Sequence, residues 1–119
     1  MEEQLISFET AKLAKENGFD LECHYAQFKN NIKPGYNESK HNWNLYLEWY
    51  SISTQALLQK WLREKHNLFV FVEIDEYQDE FRSIIIDYRK VFTNPKFTKN
   101  FTTYEKALEK GLKKALKLL

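Results

Sequence analysis

At 119 residues the chain has the length of one ordinary domain, enough for one core and too little for two. Its 18 Lys and Arg nearly balance 17 Asp and Glu, so whole-chain charge gives little pull toward nucleic acid or an anionic membrane. A hydrophobic fraction of 43%, an aromatic fraction of 16%, three Gly and two Pro exclude a disordered chain, and the single cysteine, Cys23, excludes an internal disulfide.

In chain order, Ser7 has the position of a helix N-cap, and Phe8, Ala11 and Ala14 recur on one face until Gly18. The spacing predicts a helix over 8–17. Residues 21–28 read as a strand, and 29–42, polar and carrying the Pro34-Gly35 turn signal, as a long loop. Over 43–50, Trp43, Leu45, Leu47 and Trp49 alternate with Asn44, Tyr46, Glu48 and Tyr50, the period of a half-buried strand. Those two strands are expected to form a hairpin across the loop.

Ser51 and Ser53 are candidate caps for a second helix over 53–66, whose stripe is Leu57, Leu58, Trp61 and Leu62, with Asn67 as its terminator. Residues 68–74 are β-branched and aromatic and read as a strand; 76–80 form a turn, and 82–90 the returning partner. Thr102 with Glu105 has capping-box spacing for a third helix over 103–118, in which Gly111 permits a close approach to the sheet. The expectation is one α+β domain, 1–119, in the order α-β-β-α-β-β-α. Its two hairpins form a single antiparallel sheet of about four strands, with three helices on one face. Val70, Val72, Leu57, Trp61, Leu108 and Leu112 are its expected core.

Strand parity then nominates a surface. Leu68, Val70, Val72 and Ile74 share the face that suits the helices. The opposite face is expected to carry Tyr46, Tyr50, Phe69 and Phe71, ringed by Glu48, Glu73 and Asp87, with Glu76, Asp79 and Glu80 in the turn at its edge. That face is either an interaction site or the floor beneath loop 29–42 or the first helix. A second charged region lies on the last helix, where Lys110, Lys113, Lys114 and Lys117 are candidates for phosphate contacts.

Catalytic and metal-binding patterns are missing. Cys23 and His24 are strand neighbours on opposite faces and cannot form a dyad with each other, so a buried, inert thiol is expected. The acids of 73–80 lack the glycine and ligand spacing of a calcium loop. Asp75, Asp87 and Arg89 lack the acid-x-lysine signature of a nuclease hairpin. No phosphate loop, nucleophile elbow or metal-spaced His/Cys set occurs, so neither cofactor nor metal is expected. The start Met1-Glu2-Glu3-Gln4-Leu5 has no signal-peptide character, and no apolar run reaches membrane-spanning length, which together suggest a cytoplasmic protein without a membrane partner.

Three stretches carry a resemblance as a set: SFETAKLAK at 7–15, TQALLQKWLR at 54–63 and YEKALEKGL at 104–112. In this order they resemble a group of small, uncharacterised accessory proteins of Bacteroidota phages and prophages, across most of the chain except 29–42. The group supplies no catalytic residues. The resemblance implies a non-enzymatic protein that binds a host protein or ribonucleoprotein, of the anti-CRISPR inhibitor type. The alternatives are a small nucleic-acid-binding protein using the last helix and a small hydrolase or nuclease with a scattered site. The sequence does not fix the oligomeric state.

Overall fold

The computed structural model describes residues 4–91 and 94–119. The chain is α+β, the described residues forming three α-helices and two three-stranded antiparallel sheets, and it divides into two compact units, 1–54 and 55–119. The single sheet of about four strands is thus corrected: the two hairpin regions build separate sheets, each gaining a strand that the apolar pattern does not reveal.

In the first unit, α1 (Phe8–Glu16) is capped by Ser7, whose hydroxyl oxygen accepts from the Thr10 N–H at 3.2 Å. Gly18, at φ +85°, lets the Phe19 N–H turn back to the Ala14 carbonyl at 3.0 Å. Thr10, Ala11 and Ala14 are the buried face of α1. The sheet has the order β2-β1-β3, formed by β1 (Cys23–Phe28), β2 (Gly35–His41) and β3 (Trp49–Ile52).

Two departures from the sequence reading have local causes. The stretch 29–42 is not all loop, because β2 lies within it; all seven of its residues are exposed, so no apolar alternation marks it. The strand expected over 43–50 is replaced by a 3-10 turn, Trp43–Leu45, with β3 beginning only at Trp49. Asparagine side chains compete with the ladder there. Asn42 Oδ1 accepts from the Asn44 N–H at 3.1 Å, and Asn44 Oδ1 accepts from the Ser51 N–H at 2.9 Å while Asn44 Nδ2 donates to the Phe19 carbonyl at 2.9 Å. Leu45 and Leu47 are consequently exposed instead of facing inward. Ser51 is a β3 residue whose hydroxyl oxygen accepts from the Trp43 N–H, and the Ser53 hydroxyl donates to the Thr54 carbonyl.

In the second unit, α2 (Gln55–His66) ends at Asn67, whose φ of 53° is the left-handed conformation that breaks the helix and starts β4 (Leu68–Asp75). β5 (Glu80–Asp87) returns in register, Leu68 opposite Asp87 through Asp75 opposite Glu80. A short β6 (Lys96–Phe97) pairs with β5, giving the order β4-β5-β6. The turn is held by Asp75, whose carboxylate accepts from the Tyr77 and Gln78 N–H groups at 3.0 and 3.3 Å. α3 (Tyr104–Leu116) is capped one residue later than the Thr102 spacing predicts: Thr103 accepts from the Lys106 N–H at 3.2 Å.

Leu68, Val70, Ser83 and Ile85 form the sheet's buried face, and Leu58, Trp61, Leu62, Ala107, Leu108, Leu112, Ala115 and Leu116 are buried on the helices. Of the expected core, Leu57 and Val72 are only half-buried. Gly111 meets the sheet as its position suggests: a Cβ there would lie 2.5 Å from Ser83 Cβ and 2.9 Å from Val70 Cγ1. The Ser83 hydroxyl, buried in this contact, donates to the Ala107 carbonyl at 2.6 Å.

Candidate functional site

The face of the second sheet opposite its helices is built by strand alternation. Since Leu68, Val70 and Val72 turn toward α2 and α3, Phe69, Phe71 and Glu73 turn away. Their cross-strand partners are Ile86, Ile84 and Arg82, and Ile84 is in turn opposite Phe97 of β6. The result is an apolar face of Phe69, Phe71, Ile84, Ile86 and Phe97, with Tyr88 at one end, edge-on to Phe69 at 5.1 Å between ring centroids. Phe71, Phe97 and Tyr88 are 41%, 42% and 58% exposed. Contiguous aromatic exposure of this kind marks an interaction surface more often than scattered apolar residues do.

One ion pair sits in this face. Glu73 and Arg82 bridge the strands, and the Arg82 guanidinium stacks over the Phe97 ring at 4.2 Å. The stacking fixes Arg82 against the aromatic and leaves the pair half-exposed. Toward the turn the face opens into a cleft of about 480 Å³ lined by Glu73, Asp75, Glu76, Tyr77, Arg82 and Asn100 among others. Three carboxylates against one guanidinium make that cleft acidic.

The other nominated residues fall elsewhere. Tyr46 and Tyr50 do not share a sheet with Phe69 and Phe71: Tyr46 precedes β3 and Tyr50 lies in it, whereas the two phenylalanines belong to β4. Tyr50 packs edge-on against Phe8 at 5.0 Å beneath the Lys15 ammonium, and Lys15 Nζ donates to the Tyr46, Leu47 and Trp49 carbonyls at 2.8, 3.2 and 2.8 Å. Glu48 is paired with Lys29 at 2.7 Å. Asp87 is corrected outright. Its position opposite Leu68 puts it on the helix side, 5% exposed, where Arg89 clamps both carboxylate oxygens and holds its carboxyl down at about 2. Glu76 and Asp79 are exposed and Glu80 half-exposed around the turn.

Phe97, Tyr88, Ile84 and Ile86 are the members of this face that the sequence does not nominate. A two-residue strand carries no periodic signal, and Ile84-Ile85-Ile86 is apolar on both parities, so only the Phe71–Ile84 register reveals which isoleucines face outward. On α3, Lys110 and Lys117 are exposed and Lys113 and Lys114 half-buried, Lys114 Nζ donating to the Phe97 carbonyl at 3.1 Å.

The chemistry of the ionisable groups is quiet. Cys23 is buried, its thiol donates weakly to the Leu21 carbonyl at 3.7 Å, and burial pushes it up to about 11, so it stays protonated at neutral pH. His24 faces the other side of β1, stacked on Tyr36, with Nδ1 donating to the Asn37 carbonyl at 2.9 Å. Among the described residues no three His, Cys, Asp or Glu side chains converge on a metal position, and no helix is long and apolar enough to cross a membrane. Compared with models of protein families, with curated proteins and with solved structures, the chain matches none.

Proposed function

We propose that this is a non-enzymatic protein-binding module whose docking surface is the outer face of β4, β5 and β6. The observation that carries the reading is the contiguous exposure of Phe71, Phe97 and Tyr88 around Ile84 and Ile86, on a sheet whose other face holds its core. Rigid aromatic side chains supply contact area at low entropic cost and dominate many interfaces. The acidic cleft beside them suits a partner that pairs an apolar contact with basic residues, and it speeds encounter with such a partner more than it deepens affinity. A nucleic-acid-binding surface of a host protein has that charge. The resemblance to phage accessory proteins supports placing the partner among host defence nucleases or their ribonucleoproteins.

The test is affinity capture from host lysate followed by mass spectrometry, with and without nuclease treatment, comparing the wild-type chain with Phe71→Ala/Phe97→Ala. A specific protein that survives nuclease and is lost with the double variant is the expected result. Capture that depends on nucleic acid and is lost on Lys110→Gln/Lys117→Gln instead would replace this reading with the phosphate-binding one.

A further inference from the structure

β4 is an edge strand, and its open side carries a distinct signal. In β5, Phe81 exchanges both backbone bonds with Phe101, and the Ser83 carbonyl accepts from the Thr98 N–H, so its odd-numbered residues face β6. Its even-numbered residues therefore face β4, opposite Phe69, Phe71, Glu73 and Asp75. By alternation, Leu68, Val70, Val72 and Ile74 direct their N–H and C=O groups away from β5, along the free edge. Gln59 confirms the direction: its Nε2 reaches the Val70 carbonyl at 2.5 Å. That contact protects the beginning of the edge, but among the described residues no strand pairs alongside Val72 and Ile74.

Natural edge strands are guarded by charged side chains, lysine above all, or by proline, a bulge or a cover. The sequence LFVFVEID has neither lysine nor proline, its two charges, Glu73 and Asp75, share the outer face with Phe69 and Phe71, and its register to β5 is unbroken. Ile74 is exposed at the unguarded end. The charges that flank the strand select the occupant. Before it, the last turn of α2 carries Arg63 and Lys65. At its end stands Asp75, followed by Glu76 and Asp79 in the turn and Glu80 at the start of β5. When two such edges meet antiparallel, the acidic turn of each copy lies beside the basic helix end of the other, twice over. A parallel meeting would set like charges together.

We propose that β4 pairs antiparallel with β4 of a second copy of this chain, about a twofold axis near Val72. The pairing merges two three-stranded sheets into one of six strands and makes the two outer faces continuous. It is independent of the docking reading above, which needs only the face and not the edge. Val70 keeps its bond to Gln59, because a carbonyl oxygen accepts two hydrogen bonds.

Sedimentation equilibrium over a wide concentration range, combined with residue-resolved hydrogen exchange, tests it. The expected mass rises from 14.4 kDa for the single chain toward twice that value. The Val72 and Ile74 amides gain protection with concentration, while the Phe71 and Glu73 amides, already bonded to β5, do not change. Ile74→Lys holds the chain monomeric. Glu76→Lys weakens association by about 3- to 10-fold, the scale of two exposed ion pairs, and adding Lys65→Glu recovers it. A monomer at every concentration overturns the proposal, as does a dimer that leaves Val72 and Ile74 exchanging freely. Should Ile74→Lys misfold, the exchange pattern of the wild-type chain decides.

Discussion

At Gly111 the absence of one methyl group sets how closely α3 approaches its sheet. Alanine there gains about 1 kcal/mol of helix propensity but drives Cβ into Ser83 and Val70, where overpacking costs about 1–3 kcal/mol. Gly111→Ala is therefore expected to lower the urea midpoint, whereas an isolated helix peptide carrying it gains helicity. Asp87 ties stability to pH. Its carboxyl is held at about 2 first by the side-chain bonds from Arg89, so the folded state binds that proton less readily than the unfolded chain, where an aspartate titrates near 4. The stability this contributes is fully present above the unfolded value and is lost as pH falls from about 4 toward about 2. Asp87→Asn should cost about 1–3 kcal/mol at neutral pH and flatten the acid limb of stability measured against pH. His66 titrates in another window. Burial chiefly, with Arg89 and Lys65 nearby, lowers its pKa, and its Nε2 is buried without a hydrogen-bond partner. The folded state thus favours the neutral ring, and its contribution is lost as pH falls below the ordinary histidine value of about 6.5.

At the scale of elements, Lys15 ties α1 to the start of β3 and the residues before it, by bonds to the Tyr46, Leu47 and Trp49 carbonyls and a position 4.7 Å over the Tyr50 ring. Lys15→Met keeps the aliphatic stem and removes the donor. It is expected to destabilise the chain by about 1 kcal/mol and to raise hydrogen exchange around residues 46–49, while α1 itself stays protected. The same segment shows where sequence pattern misleads. The helices were legible because Leu58, Trp61 and Leu62, and Leu108, Leu112 and Ala115, recur at helical spacing and are buried. β4 and β5 were legible from their β-branched content. The alternation over 43–50 was equally regular, but side-chain bonds from Asn42 and Asn44 outcompete the ladder, and periodicity does not register that competition. β2 is polar and exposed throughout, so its only signal is the backbone pairing with β1. For the candidate site, Phe69 and Phe71 could be read from parity within one strand. Tyr46 and Tyr50 would join them only in a single sheet, and there are two.

For the whole molecule, the account rests on a division of labour between the two faces of the second sheet. One face binds its own helices through Val70, Ile85 and Leu112, and the other presents Phe71, Phe97 and Tyr88. If the second face is the docking site, Phe71→Ala should weaken partner binding by about 2 kcal/mol, roughly 30-fold, mainly through faster dissociation. Neutralising Asp75 and Glu76 should instead slow association and reduce its dependence on salt. Hydroxyl-radical footprinting of the free protein and of its captured complex tests the central claim most directly. The account predicts that Phe71, Phe97 and Tyr88 are labelled in the free chain and protected in the complex, while Leu58 and Leu112 stay unlabelled in both. Phe71 and Phe97 unlabelled in the free chain, or labelled equally with the partner bound, would contradict it.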